Sequence, residues 1–157
     1  MSEAYWDRFE TALGMLSVGV DGDGSVTNLA FGVETMPGLR SAKRCREVRE
    51  QLEEYLAGRR TRFDLTLKPS GTEFQRSVWR GLVEIPYGAV CGYGDLAKNI
   101  GNPGAARAVG QANGANPIPI IIPCHRVIAA DGSIGGFTSG LPIKRQLLAV
   151  EHIQLAA

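Results

Sequence analysis

Residues 116–127 read N-P-I-P-I-I-I-P-C-H-R-V, and the rest of the chain is best understood outward from them. Pro117, Pro119 and Pro123 lack an amide donor and fix φ, so no α-helix can run through the segment. Ile118 and the run Ile120, Ile121, Ile122 demand burial. The expected structure is a buried extended strand. Its end delivers Cys124 and His125 together, where the chain must turn. A thiol is a weak nucleophile and a thiolate a strong one, so a base beside Cys124 marks a nucleophile site.

Downstream, I-A-A-D-G-S-I-G-G-F-T-S-G-L over 128–141 turns at Asp131 and Gly132. It then passes the mobile pair Gly135 and Gly136, giving a loop able to wrap a ligand with backbone amides. A helix is expected over 142–152, with Ile143, Leu147 and Glu151 on one face. A glutamate near a helix C-terminus is disfavoured by the macrodipole, so an inward-facing Glu151 suggests a partner such as His125. A frayed, solvated helix end is the open alternative. Adjacent side chains rarely hydrogen-bond directly, so the pair needs a water or a sharp turn between Cys124 and His125. The resulting relay is Glu151–His125–water–Cys124. Adjacent Cys and His make a poor chelate, and His152 reads as a surface residue, so no metal and no cofactor are expected.

Upstream, 93–100 reads as a short helix, 101–102 as a turn and 103–114 as a second helix, with Asn102 as N-cap and Pro103 first. This is helix-turn-helix grammar. Ala105, Ala106, Ala108, Gly110 and Ala112 make the second helix smooth enough for close approach of a backbone or a nucleic-acid groove. Arg107 is its only charge, which favours a DNA contact over an ordinary surface arginine. Between Asp95 and Asp131 there is no acidic residue, while Lys98, Arg107, His125 and Arg126 fall inside that window. A polyanion could approach unopposed, although the net charge of +1 excludes coating nucleic acid by bulk electrostatics.

The first part of the chain has another grammar. Short strands over 8–11, 15–20 and 26–31, separated by L-G and D-G-D-G turn signals, predict an antiparallel meander. Residues 41–56 pattern as an amphipathic helix ended by Gly58, and 63–67 alternate as a strand. Thr72 is the expected N-cap of a helix carrying Phe74, Val78, Trp79, Leu82 and Val83. The division is a lobe over 1–68, a connector over 69–72 and a catalytic, DNA-binding domain over 73–157. The fold class is α/β in the α+β sense: a small antiparallel sheet with a helix, then a mostly helical lobe with the helix-turn-helix and the cysteine.

With 44% apolar residues the 157-residue chain can build a real core. Cys45, Cys91 and Cys124 are odd in number and lack a C-x-x-C pair, so neither a disulfide framework nor a zinc site is indicated. There is no twenty-residue apolar run, and the charged start lacks the apolar stretch of a signal peptide. The expectation is a cytoplasmic protein without membrane attachment.

P-C-H-R-V after N-P-x-P-I-I-I, preceded by G-N-P-x-A-A-R-A-V-G and followed by G-G-F-T-S-G-L and K-R-x-L-L-x-x-E-H, closely resembles the O6-alkylguanine-DNA alkyltransferases. The resemblance is continuous from about Phe74 to His152. It implies a self-inactivating repair protein that flips a damaged nucleotide and moves the alkyl group of O6-alkylguanine, more weakly O4-alkylthymine, onto Cys124. By the same resemblance His125 is the base, Glu151 orients it and Asn116 braces the site. Tyr93 donates a proton to the leaving guanine, and Arg107 fills the vacated space from the minor groove. Gly94, Asn102 and Ala106 join Tyr93 and Arg107 in the DNA-facing set. The carbonyls of Cys124 and Val127 and the amide of Thr138 read the guanine edge, with Phe137 and Ser139 at the rim. The partner is double-stranded DNA carrying O6-alkylguanine, met by a monomer, with cooperative binding along DNA left open.

The chain departs from the pattern at Phe137, where tyrosine is common, at Ser139, where glycine is common, and at Gly92, where serine is frequent. Phe137 and Ser139 put the alkyl range and inhibitor tolerance in question, while Gly92 loosens the helix start without touching the chemistry. A Cys-His hydrolase or acyl transferase would also use Cys124, His125 and Glu151, but leaves Arg107 unexplained and needs an oxyanion hole. A lesion sensor that binds without accepting the group would have its cysteine replaced, and Cys124 is present. A plain helix-turn-helix regulator lacks side chains for major-groove readout.

Overall fold

The computed structural model describes residues 3–155, and the chain divides into two compact units between Ser70 and Gly71. In the first, β1 (Ala4–Thr11), β2 (Gly14–Asp21) and β3 (Val26–Phe31) form the expected antiparallel meander. The β1–β2 hairpin is tight because Gly14 takes φ 98° and the Thr11 hydroxyl donates to its carbonyl at 2.7 Å. The next turn is set by Asp21, whose Oδ1 accepts the amides of Asp23 and Ser25 at 2.9 and 3.0 Å.

The sheet is mixed where a purely antiparallel one was expected. The two-residue strand β4 (Leu39–Arg40) adds parallel to β1, giving the order β3-β2-β1-β4. The predicted strand over 63–67 reduces to one bridge between Val26 and Leu67, with Val26 exchanging backbone bonds with Thr66 and Lys68. Helix α1 (Arg46–Leu56) buries Val48, Leu52 and Tyr55. It begins later than the pattern suggested because Ser41 first closes a turn, its hydroxyl and carbonyl accepting from Arg44 and Cys45.

The second unit begins with α2 (Glu73–Val83), started by a capping box in which Thr72 and Gln75 satisfy each other's backbone amides. Trp79 is buried and its indole donates to the Ala112 carbonyl at 2.9 Å, tying α2 to α4 (Ala106–Gly114). Burial of a side chain of this kind contributes about 1.5–3 kcal/mol. Where α2 passes α3 (Tyr93–Asn99) and the residue after it, a Cβ on Gly81 would lie 2.7 Å from Ile100 Cγ2, so only glycine lets the helices approach this closely.

Helix α4 starts three residues later than its sequence pattern implied. Asn102 does not cap it: its carbonyl accepts from Ala105 at 3.0 Å, so Asn102, Pro103 and Gly104 form a turn and Ala105 is the N-cap. A two-strand parallel pair, β5 (Cys91–Gly92) with β6 (Val127–Ile128), and α5 (Leu141–Val150) complete the unit. Among the described residues no helix is long and apolar enough to cross a membrane.

Candidate active site

Residues 118–123 are buried as expected, with Asn116 and Pro117 half-buried, but the segment is not an extended strand. The chain coils back on itself. The Ile122 amide donates to the Ile118 carbonyl at 2.9 Å, and Ile120 takes φ 75°, a left-handed conformation that β-branched residues rarely adopt. Asn116 ties the coil at both ends, its Oδ1 accepting from the Ile118 amide at 2.9 Å and its Nδ2 donating to the Ile122 carbonyl at 2.8 Å. Three prolines forbid an α-helix, yet Pro123 precedes a single 3₁₀ turn, Cys124–Arg126, whose Arg126 amide returns to the Pro123 carbonyl. That turn separates the side chains of three successive residues.

Cys124 is 5% exposed. Burial pushes its thiol up to about 11, against a hydrogen bond from Asn116 and the charge of Lys144, which favour the thiolate. At neutral pH the sulfur therefore carries its proton. His125 is fully buried, and its Nε2 lies 2.7 Å from Glu151 Oε2. Burial holds the imidazole below its ordinary value against the pull of Glu151, so it is neutral and able to accept a proton.

Glu151, at the C-cap of α5, is buried as well. Its burial would raise the carboxyl, but hydrogen bonds from His125, Arg126 and the Gly88 amide hold it down to about 2. The carboxylate is thus ionised throughout the physiological range. Arg126 Nε reaches Oε1 at 2.9 Å and its Nη2 reaches Oε2 at 3.0 Å.

Lys144 is the second buried cation. Its Nζ donates to the carbonyls of Val127 at 2.7 Å and Gly136 at 2.9 Å, and burial lowers it to about 8, with Cys124 pulling the other way. The Val127 carbonyl, expected to read a base edge, therefore already serves one donor and keeps one lone pair.

Tyr93 opens α3, half-buried, its hydroxyl raised first by burial and then by the charge Cys124 would carry. Its ring lies beside Gly110, where a Cβ would sit 3.7 Å from Tyr93 Cδ1. Thr138 is exposed and ties the 128–140 loop to the end of α4, its hydroxyl donating to the Gly114 carbonyl at 2.8 Å. Phe137 and Ser139 flank it, half-buried. Arg107, Gly94 and Asn102 are exposed and Ala106 half-exposed, a separate group on α3, α4 and their turn. Arg107 has no carboxylate partner among the described residues.

Residues 73–153 match the family described as 6-O-methylguanine DNA methyltransferase, DNA binding domain. The chain belongs to this family. A relative from Methanosarcina acetivorans, named methylated-DNA–protein-cysteine methyltransferase, is 47% identical over 152 residues, covering 94% of this chain and 97% of its own. The crystal structure of Mycobacterium tuberculosis OGT in complex with DNA matches with a TM-score of 0.88 at 42% identity, over 94% of this chain and 92% of that one. The O6-methylguanine-DNA methyltransferase of Pyrococcus kodakaraensis strain KOD1 matches with a TM-score of 0.69 at 28% identity, over 96% and 99%. The α+β fold is that of these methyltransferases.

Two residues of this methyltransferase-family site escaped the sequence reading. Arg126, next to the relay in sequence, enters that reading only as one of the cations of the acid-free window between Asp95 and Asp131. Lys144 lies four residues before Leu148 on the buried stripe of α5, and a cation at such a spacing was the available signal. Its acceptors are two backbone carbonyls, which no side-chain pattern announces.

Proposed function

We propose that this protein repairs alkylated DNA by moving the alkyl group from O6 of guanine, and more weakly from O4 of thymine, onto Cys124 Sγ. The observation that carries the reading is the buried Cys124 thiol one residue from a buried imidazole that the Glu151 carboxylate contacts at 2.7 Å, in a chain of the methyltransferase family. His125 takes the thiol proton, through a water or directly as the turn flexes. Sulfur then forms its bond to the alkyl carbon as the carbon–O6 bond breaks, and Tyr93 supplies a proton to the departing guanine. The products are guanine and a thioether. Because that carbon–sulfur bond has no route to hydrolysis in the site, each molecule acts once.

Cys124 is too buried to meet a base stacked in a duplex, so the target nucleotide must be turned out, with Arg107 of α4 entering the space it leaves. The small residues of α4 suit a narrow groove. Gly94, Asn102 and Ala106 would face the sugar-phosphate backbone, and Thr138, Phe137 and Ser139 the base.

Intact mass measurement after mixing with a duplex carrying one O6-methylguanine, followed by peptide mapping, tests the proposal. The expected result is a stoichiometric gain of one methylene mass on the Cys124 peptide, with no further turnover in excess substrate and no transfer by Cys124→Ser. An unmodified protein still holding the lesion would overturn it.

A further inference from the structure

We propose that Arg126 is a positioning residue that keeps His125 neutral by sharing the Glu151 carboxylate with it. The inference rests on the relay proposed above and deepens it. A buried imidazole hydrogen-bonded to a carboxylate with no other cation tends to become an imidazolium, since only protonation balances the buried charge. An imidazolium cannot accept the thiol proton.

Here the carboxylate is already balanced. Arg126 meets it as a fork, Nε to Oε1 at 2.9 Å and Nη2 to Oε2 at 3.0 Å, while His125 Nε2 contacts the same Oε2 at 2.7 Å. The Gly88 amide adds a further donor to Oε1 at 2.9 Å. The guanidinium does not depend on Glu151 for its place. Its Nη1 donates to the Ile85 carbonyl at 2.6 Å, and its centre lies 5.9 Å from the Tyr87 ring centroid. Glu151 can therefore aim the imidazole without driving it to protonate.

Among the described residues, these charged and titratable groups surround His125. Cys124 and Arg126 flank it on the 3₁₀ turn, Lys144 and Glu151 belong to α5, and Tyr93 and Tyr87 face its two neighbours. After burial, Glu151 favours the imidazolium, and Arg126 and Lys144 oppose it. Arg126 is the one of these cations that touches the same carboxylate.

The test is an NMR titration of His125 and a pH profile of single-turnover transfer for wild type, Arg126→Met and Arg126→Lys. In Arg126→Met the imidazolium should persist about one pH unit or more higher. Transfer should fall tenfold or more on the acid side and return toward wild type as pH rises. Arg126→Lys, which keeps charge but reaches one oxygen, should shift less and recover most of the profile. If the methionine variant does not fold, a smaller upward shift in the lysine variant carries the same expectation. A His125 titration unchanged in whichever variants fold overturns the proposal, as does a rate lowered equally at all pH values. If wild-type protein accepts no alkyl group, the transfer reading fails, while the titration still decides the role of Arg126.

Discussion

Lys144 Nζ donates to the Val127 carbonyl at 2.7 Å, holding a buried ammonium just beyond the 3₁₀ turn that carries Cys124. Lys144→Met would leave this carbonyl and that of Gly136 without their donor. An unfolding free energy lower by about 1–3 kcal/mol is expected, read by denaturant titration. The thiol also loses a nearby positive charge, so alkylation of Cys124 by iodoacetamide should slow at every pH below the thiol's own titration.

Asn116 is the strap across the coil before Cys124. Asn116→Ala removes its bonds to the Ile118 amide and the Ile122 carbonyl, together with its hydrogen bond to the Cys124 thiol. Displacing Cys124 by a fraction of an ångström to an ångström should cost about 10²-fold in the single-turnover rate. Thermal stability should fall too, and a variant retaining the wild-type rate would show that the turn holds without its strap.

Acid should weaken the second unit through Glu151. Its carboxyl titrates near 2 in the folded protein against 4.5 ordinarily, so the folded state binds the proton less well. The stabilisation is fully present above the ordinary value and is lost as pH falls toward 2. Its size is on the order of 3 kcal/mol. Glu151→Gln should flatten that part of the stability–pH curve, which a series of urea melts between pH 2 and pH 6 would measure.

Arg107 is exposed on α4 and far from the buried relay in character, so its loss should not touch the chemistry. Arg107→Ala should slow reaction with duplex substrate about tenfold or more while leaving reaction with free O6-alkylguanine base nearly unchanged. Equal slowing of both would remove the flipping role.

The sequence made the periodic parts of this fold legible. Val48, Leu52 and Tyr55 reported α1, Thr72 announced α2 through its cap, and Glu151 was suspected of facing inward because it continued the stripe of Ile143 and Leu147. What it misjudged was backbone that follows no period. Proline and isoleucine over 116–123 fit a buried strand as well as a buried coil. The choice was made by Asn116, a side chain acting on backbone groups two and six positions away. Asn102 and Pro103 likewise suit a helix start or a turn, and the Asn102 carbonyl accepting from the Ala105 amide makes it a turn. Lys144 and Arg126 were hidden for a related reason, since their burial depends on carbonyls and a carboxylate that only the folded chain brings near.

Glu151 reaches back 26 residues to His125, and this has a consequence for synthesis. As the chain leaves the ribosome, Cys124 and His125 emerge while Glu151 is still to come, and Arg126 has no carboxylate to hold. A stalled or truncated product ending before residue 151 would carry the thiol but lack the group that aims its base. On the proposed reading, nascent protein should therefore stay unreactive toward alkylated DNA until α5 is finished.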